Sequence, residues 1–204
     1  MDKFTIRDIL VFFITGLVGL LLFSILYQTN VIEFYNENRS AIMETSTIIL
    51  LIGSPIVYLL GHFISSMEDV LFMFGKKART LAKRFWVFKP FDFLFNGYRV
   101  QTLLLEFEIS TRDFWKMYSK AQINNSSSIS EYWHIMSDLF KNIFTITFFA
   151  ILYSFWWCNY KITILFIIIA IGSWYRSKVF SRQFVLSVRD INSVLSNPDD
   201  KKPG

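Results

Sequence analysis

Four stretches of the chain are almost continuously apolar: Ile9–Tyr27, Thr45–Met67, Asn142–Tyr160 and Ile162–Tyr175. None of them contains Asp, Glu, Lys or Arg. A helix crosses a hydrocarbon core of about 30 Å with roughly 20 residues. The first three stretches meet that length and predict membrane spans. The fourth is short, but Arg176 and Lys178 behind it can extend to the interface, and the third span needs a return partner. The second stretch has a pattern within it. Thr47, Ser54, Gly61 and Glu68 recur every seven positions, with Tyr58, Ser65 and Asp69 on or beside the same face. That spacing predicts a polar stripe turned away from lipid. Pro55 within the stretch predicts a kink.

The intervening segments read differently. Gln28–Glu44 is polar and predicts a loop. Glu68–Phe140 holds three parts. The first, Gly75–Phe88 with Lys89, sets Lys76, Lys77, Arg79, Lys83, Arg84 and Lys89 among Phe85, Trp86 and Phe88, a composition suited to an interfacial helix on anionic headgroups. Pro90 predicts its end, and Phe91, Phe93 and Phe95 alternate with Asp92, Leu94 and Asn96 as in an extended turn. Second, Val100, Leu104, Phe107, Thr111, Phe114, Tyr118 and Ala121 share one helical face and predict a single helix over Tyr98–Gln122, with Glu108 and Arg112 paired on its outer side. Third, Ser128 with Glu131 forms a capping box, and the helix it opens runs into the third span. Lys178–Ser196 carries another apolar stripe, Phe180, Phe184, Val188, Ile191 and Leu195. Asn197–Gly204 reads as a disordered tail.

The expected fold class is therefore all-α: a polytopic membrane protein with four transmembrane helices in two hairpins and amphipathic cytoplasmic helices. The boundaries are 1–67 for the first hairpin (spans 9–27 and 45–67), 68–140 for the cytoplasmic segment, 141–196 for the second hairpin with its extension (spans 142–160 and 162–175), and 197–204 for the tail.

Composition supports this class. The chain is 53% hydrophobic and only 18% charged, against about 25% charged residues in soluble domains. Its net charge is +5, and the bases are unevenly placed. Of 21 Lys and Arg residues, all but Arg39 and Lys161 fall before the first span, within 68–141 or after residue 175. The positive-inside bias then puts both termini and the 68–141 segment in the cytoplasm, at a bacterial inner membrane. Lys3 and Arg7 ahead of an apolar run resemble a signal peptide, but no small-residue cleavage site follows, so an uncleaved anchor is expected. The single cysteine, Cys158, forms no intramolecular disulfide and reads as a small helix residue. Gly16 and Gly19 are three apart rather than four, a weak signal for close helix packing.

No catalytic constellation is present in the pattern. His62 and His134 are the only histidines; neither pairs with a second ligand at zinc spacing, and no P-loop or G-x-S-x-G motif occurs. Helical RNA-cutting domains of the HEPN type need an Arg four to six residues before a His, and none stands there. No catalytic residue, metal or cofactor is expected. The candidate functional residues are the transmembrane stripe Thr47, Ser54, Tyr58, His62, Glu68 and Asp69, in which His62 and Asp69 share a helix face, and the basic patch Lys76, Lys77, Arg79, Lys83, Arg84 and Lys89. The patch reads first as a lipid-surface contact, then as a dock for an acidic protein. RNA or DNA stacked on Phe85 and Trp86 ranks third, so nucleic acid is not an expected partner.

The run Pro55-Ile-Val-Tyr-Leu-Leu-Gly-His-Phe-Ile-Ser-Ser, leading from a span into an amphipathic cytoplasmic segment, resembles one found in small four-span bacterial membrane proteins. In length and two-hairpin layout the chain is similar to the multipass accessory proteins encoded beside type VI, RNA-guided RNA-cutting CRISPR effectors. That resemblance implies modulation of effector interference, or membrane disruption during phage defence. It carries no catalytic motif with it. The expected function is thus a non-enzymatic membrane accessory or regulator acting through homo-oligomerisation or a cytoplasmic partner; the alternative is a small oligomeric channel or transporter component.

Overall fold

The computed structural model describes residues 6–124, 126–157 and 159–196. The expectations for Cys158, the 197–204 tail and Lys3 fall outside these residues. Every regular element among the described residues is helical. In chain order they are α1 (Ile6–Leu26), α2 (Gln28–Glu44), α3 (Ser46–Arg84), a 3₁₀ turn at Trp86–Phe88, α4 (Lys89–Asn96), α5 (Val100–Glu106), α6 (Thr111–Ile123), α7 (Ser128–Trp156) and α8 (Tyr160–Ser196). Three of them, α3, α7 and α8, are long and apolar enough to cross a membrane. At about 1.5 Å per residue, the 37 residues of α8 extend roughly 55 Å, well beyond a hydrocarbon core, so its basic second half continues past any span.

The polar 28–44 segment is a helix, not a loop. It contains no Gly or Pro to stop one, and Val31, Phe34, Tyr35 and Ile42 give it a helical apolar stripe. It leaves α1 through a 98° bend at Tyr27, where the backbone still bonds Phe23 on one side and Val31 on the other. None of its residues is buried. In α3 the helix runs unbroken through Pro55. The basic stretch is no separate interfacial helix: its first part forms the last turns of α3, and the chain turns only at Phe85, which is extended. Pro90 begins a helix instead of ending one. It occupies the first turn of α4, where the missing N–H has no intrahelical partner to lose. Phe91, Phe93 and Phe95 therefore lie on a helix.

The expected helix over 98–122 is two helices. After α5 the chain closes a Schellman motif: the Ile109 N–H bonds the Leu104 carbonyl (2.9 Å) and that of Glu108 bonds Leu105 (3.3 Å), with Glu108 at φ 55°. Glu108 is thus outside any helix and does not pair with Arg112 across a helical turn. Ser110 then caps α6 by accepting from the Asp113 N–H (3.1 Å). At α7 the cap is Ser127, one residue before the expected Ser128; its hydroxyl donates to Glu131 (2.6 Å).

The helices resolve into two compact units. The first takes the described residues up to Leu71 with Leu139–Ser173. Its core joins Leu22, Ala150 and Phe166, from α1, α7 and α8. α1 and α3 approach to backbone contact at two glycines: a Cβ on Gly16 would strike the Val57 carbonyl, and one on Gly61 would strike that of Phe12. Polar groups tie the other helices together. Asn142 donates to the Thr15 hydroxyl (3.4 Å), Thr163 donates to Ser154 (2.9 Å), and the Tyr27 and Tyr153 hydroxyls are hydrogen-bonded. The outward faces are apolar, with Leu51, Leu59, Phe63, Ile168 and Ile171 exposed, the arrangement hydrocarbon solvates well.

The second unit takes Phe72–Asp138 with the described residues from Trp174 on. Its core is Leu103, Leu104, Phe114, Tyr118, Phe184, Val185 and Val188. The face predicted for one helix is thus shared by α5 and α6, both covered by the apolar stripe of α8. His134 stacks on Phe184 (4.6 Å) and approaches Asp138 (3.2 Å), while Ser137 and Ser181 join α7 to α8 (2.6 Å).

Candidate functional site: a basic cavity in the second unit

The cavity begins with how α4 is held. Gly75 of α3 leaves room for Phe95 and Asn96, whose atoms lie 3.1 Å from where its Cβ would stand. Asn96 is buried and donates to the Gly75 carbonyl (2.8 Å) and to Asp92 Oδ1 (2.8 Å). The same Asp92 oxygen accepts from Arg79 Nε (3.2 Å). Arg79 Nη2 donates to the Thr102 hydroxyl (2.8 Å), which donates in turn to the Asn96 carbonyl (2.8 Å). α3, α4 and the start of α5 are locked together by this closed polar network. The Arg79 and Asp92 side chains are 33% and 31% exposed, so the pair adds at most about 1 kcal/mol; its effect is to fix the guanidinium.

α8 supplies the remaining wall. Trp174 Nε1 donates to the Leu94 carbonyl (3.0 Å) and its ring meets Phe93 (4.9 Å). One turn on, Lys178 Nζ lies 5.8 Å from the Phe93 ring and 6.0 Å from that of Trp174. The cavity, open to the surface, is about 690 Å³ and is lined by Arg79, Lys83, Lys89 and Lys178, with Asp92, Glu106, Phe93 and Thr102. Four cations thus face two carboxylates, and one cation is already committed to Asp92.

Of the six basic residues singled out from sequence, Arg79, Lys83 and Lys89 meet at this cavity. Lys76 lies over Phe72 (4.3 Å), Arg84 over Phe85 (5.4 Å), and Lys77 is exposed; none of these three lines it. Sequence reading missed Lys178, Trp174, Glu106 and Thr102 as members of the site. The available signal was the apolar stripe of the tail, which had to pack against an equal stripe in 98–122 and so brings Lys178 back to the middle segment.

The transmembrane stripe is divided. Thr47, Ser54 and Asp69 are exposed, and Tyr58, His62 and Glu68 are half-buried. His62 stacks on Phe12 of α1 (3.7 Å) and meets Tyr58 edge-on (4.6 Å). Its carbonyl accepts from Ser66 (3.0 Å). No hydrogen bond joins His62 to Asp69 among the described residues. The tightly packed face of α3 in this unit is Val57, Gly61 and Ile64. Among the described residues no three His, Cys, Asp or Glu side chains gather as a metal set.

Compared with protein-family models, curated proteins and solved structures, the chain matches none.

Proposed function

We propose that the protein is a non-catalytic membrane protein of the bacterial inner membrane with four spans in two hairpins, both termini cytoplasmic, whose basic unit receives an anionic group on the cytoplasmic side. In this reading it is an accessory or regulator in phage defence. The observation that carries the proposal is the convergence of Arg79, Lys83, Lys89 and Lys178, from α3, α4 and α8, on one cavity. The concentration of Lys and Arg in the same segments supports its cytoplasmic placement. The hydrogen-bonded pairs Thr15–Asn142 and Ser154–Thr163 use polar groups as contacts between helices, which supports a packed bundle acting by contact over one that conducts. The defence context rests on the resemblance in layout.

The test is a phage-plating assay in cells carrying an RNA-guided RNA-cutting effector with or without this chain. The expected result is a shift in plating efficiency of at least one order of magnitude. The shift should disappear with Lys83→Gln combined with Lys178→Gln. An unchanged plating efficiency with the wild-type chain would remove the defence role. A full effect with the double variant would remove the cavity from it.

A further inference from the structure

We propose that the anionic group received by this cavity is the phosphate of an anionic phospholipid headgroup, an assignment that rests on the four-span reading above. Three observations on the site support it. The first is charge. Arg79 is held by Asp92 and Thr102, which leaves Lys83, Lys89 and Lys178 around a space of about 690 Å³ with Glu106 as the remaining carboxylate. Three lysines line one space that holds a single uncommitted carboxylate, so the site carries a net positive charge that attracts an anion.

The second is depth. Trp174 and Lys178 belong to the turn of α8 at the end of the apolar window Ile162–Tyr175. At about 1.5 Å rise per residue, Lys178 lies roughly 6 Å beyond Trp174 along the helix. The headgroup layer occupies about 5–8 Å outside each face of the hydrocarbon core. A tryptophan at the end of an apolar window, with its N–H satisfied by the Leu94 carbonyl, marks that interface, and the lysine one turn on falls among the phosphates. The third is the rim. Between Lys83 and Lys89, Phe85, Trp86 and Val87 are exposed, Trp86 to 77%, and Phe91 and Phe93 follow. In water this aromatic cluster is unfavourable. In the headgroup and upper acyl layer it is the usual company of lysines that bind phosphate. A soluble phosphate compound would give that rim no apolar environment.

The experiment uses the full chain in nanodiscs of phosphatidylcholine with about one-fifth phosphatidylglycerol, a composition in which each base near the surface contributes measurably. Lipid retained after detergent extraction is read by native mass spectrometry. The wild type is expected to retain phosphatidylglycerol in preference to phosphatidylcholine. Lys83→Gln alone, at an exposed position, should reduce retention about fivefold, and adding Lys178→Gln should reduce it further by a similar factor. Lys76→Gln with Lys77→Gln removes the same charge outside the cavity and should leave retention unchanged. Equal loss in the Lys76/Lys77 pair would overturn the proposal, because attraction would then be diffuse. So would full retention in the cavity variants. Displacement of the lipid by inorganic phosphate would assign the site to a free anion, and displacement by an acidic peptide would assign it to a protein; either result overturns it. A lipid result that fails while the plating phenotype still depends on Lys83 and Lys178 leaves the functional reading standing. A plating result that fails while lipid is retained does the reverse.

Discussion

Gly16 and Gly61 each sit where the neighbouring helix presents a backbone carbonyl, so α1 and α3 approach only because neither carries a Cβ there. Gly61→Ala is expected to force the helices apart and destabilise the protein by roughly 1–3 kcal/mol, read as a lower melting temperature in detergent. Gly53→Ala meets open space and should be neutral or stabilising by about 0.5–1 kcal/mol, as helical Gly-to-Ala changes are. A Gly61→Ala variant as stable as wild type would refute the close contact. The spacing of glycines within one helix did not disclose this crossing, because the two small residues are divided between helices. Thr145 offers a second contrast. It is buried, and its hydroxyl has no hydrogen-bond partner among the described residues. Thr145→Val is expected to cost nothing, since it removes an unsatisfied hydroxyl at constant shape. Thr15→Val, which removes the acceptor for Asn142, should lower stability by about 0.6–2 kcal/mol. Equal melting temperatures for the two variants would contradict this assignment of the polar contacts.

α5 and α6 illustrate what periodicity discloses about an element and what it hides. The apolar face from Val100 to Ala121 is legible because both helices bury it in one core, against Phe184 and Val188. The break between them is not, since no Gly or Pro interrupts 98–122 and the non-glycine Glu108 takes the left-handed conformation. The one local signal is Ser110 three residues ahead of Asp113, a helix-start pattern inside an apparent helix. Glu108→Gly is therefore expected to stabilise the second unit by about 1 kcal/mol, by relieving the Cβ–carbonyl crowding of that conformation; were residue 108 helical, the same change would destabilise by a similar amount. Chemical denaturation in detergent distinguishes the signs. α2 was hidden for a related reason: charge reads as loop, but the segment lacks any helix breaker. The cavity was half-legible. Its α3 and α4 bases form a visible cluster, whereas Lys178 is separated from them in sequence and joins only through the packing of α8.

At the scale of the whole chain, three helices have the length and apolarity of spans, and α1 bends by 98° into α2. The proposed topology of four spans, with α2 outside and the basic unit inside, rests on the placement of Lys and Arg on either side of the apolar windows. α2 is where this assignment is most exposed to test. If α1 crosses the membrane alone, Asn36 on the exposed surface of α2 faces the outer compartment, while Asn124 at the end of α6 faces the cytoplasm. A membrane-impermeant maleimide applied to intact cells addresses this directly. In a Cys158→Ser background, cysteine placed at Asn36 should label in intact cells, and cysteine placed at Asn124 should label only after the membrane is opened. Labelling of both positions from the same side, or the reverse pattern, would contradict the four-span topology and with it the placement of the basic cavity at the inner surface.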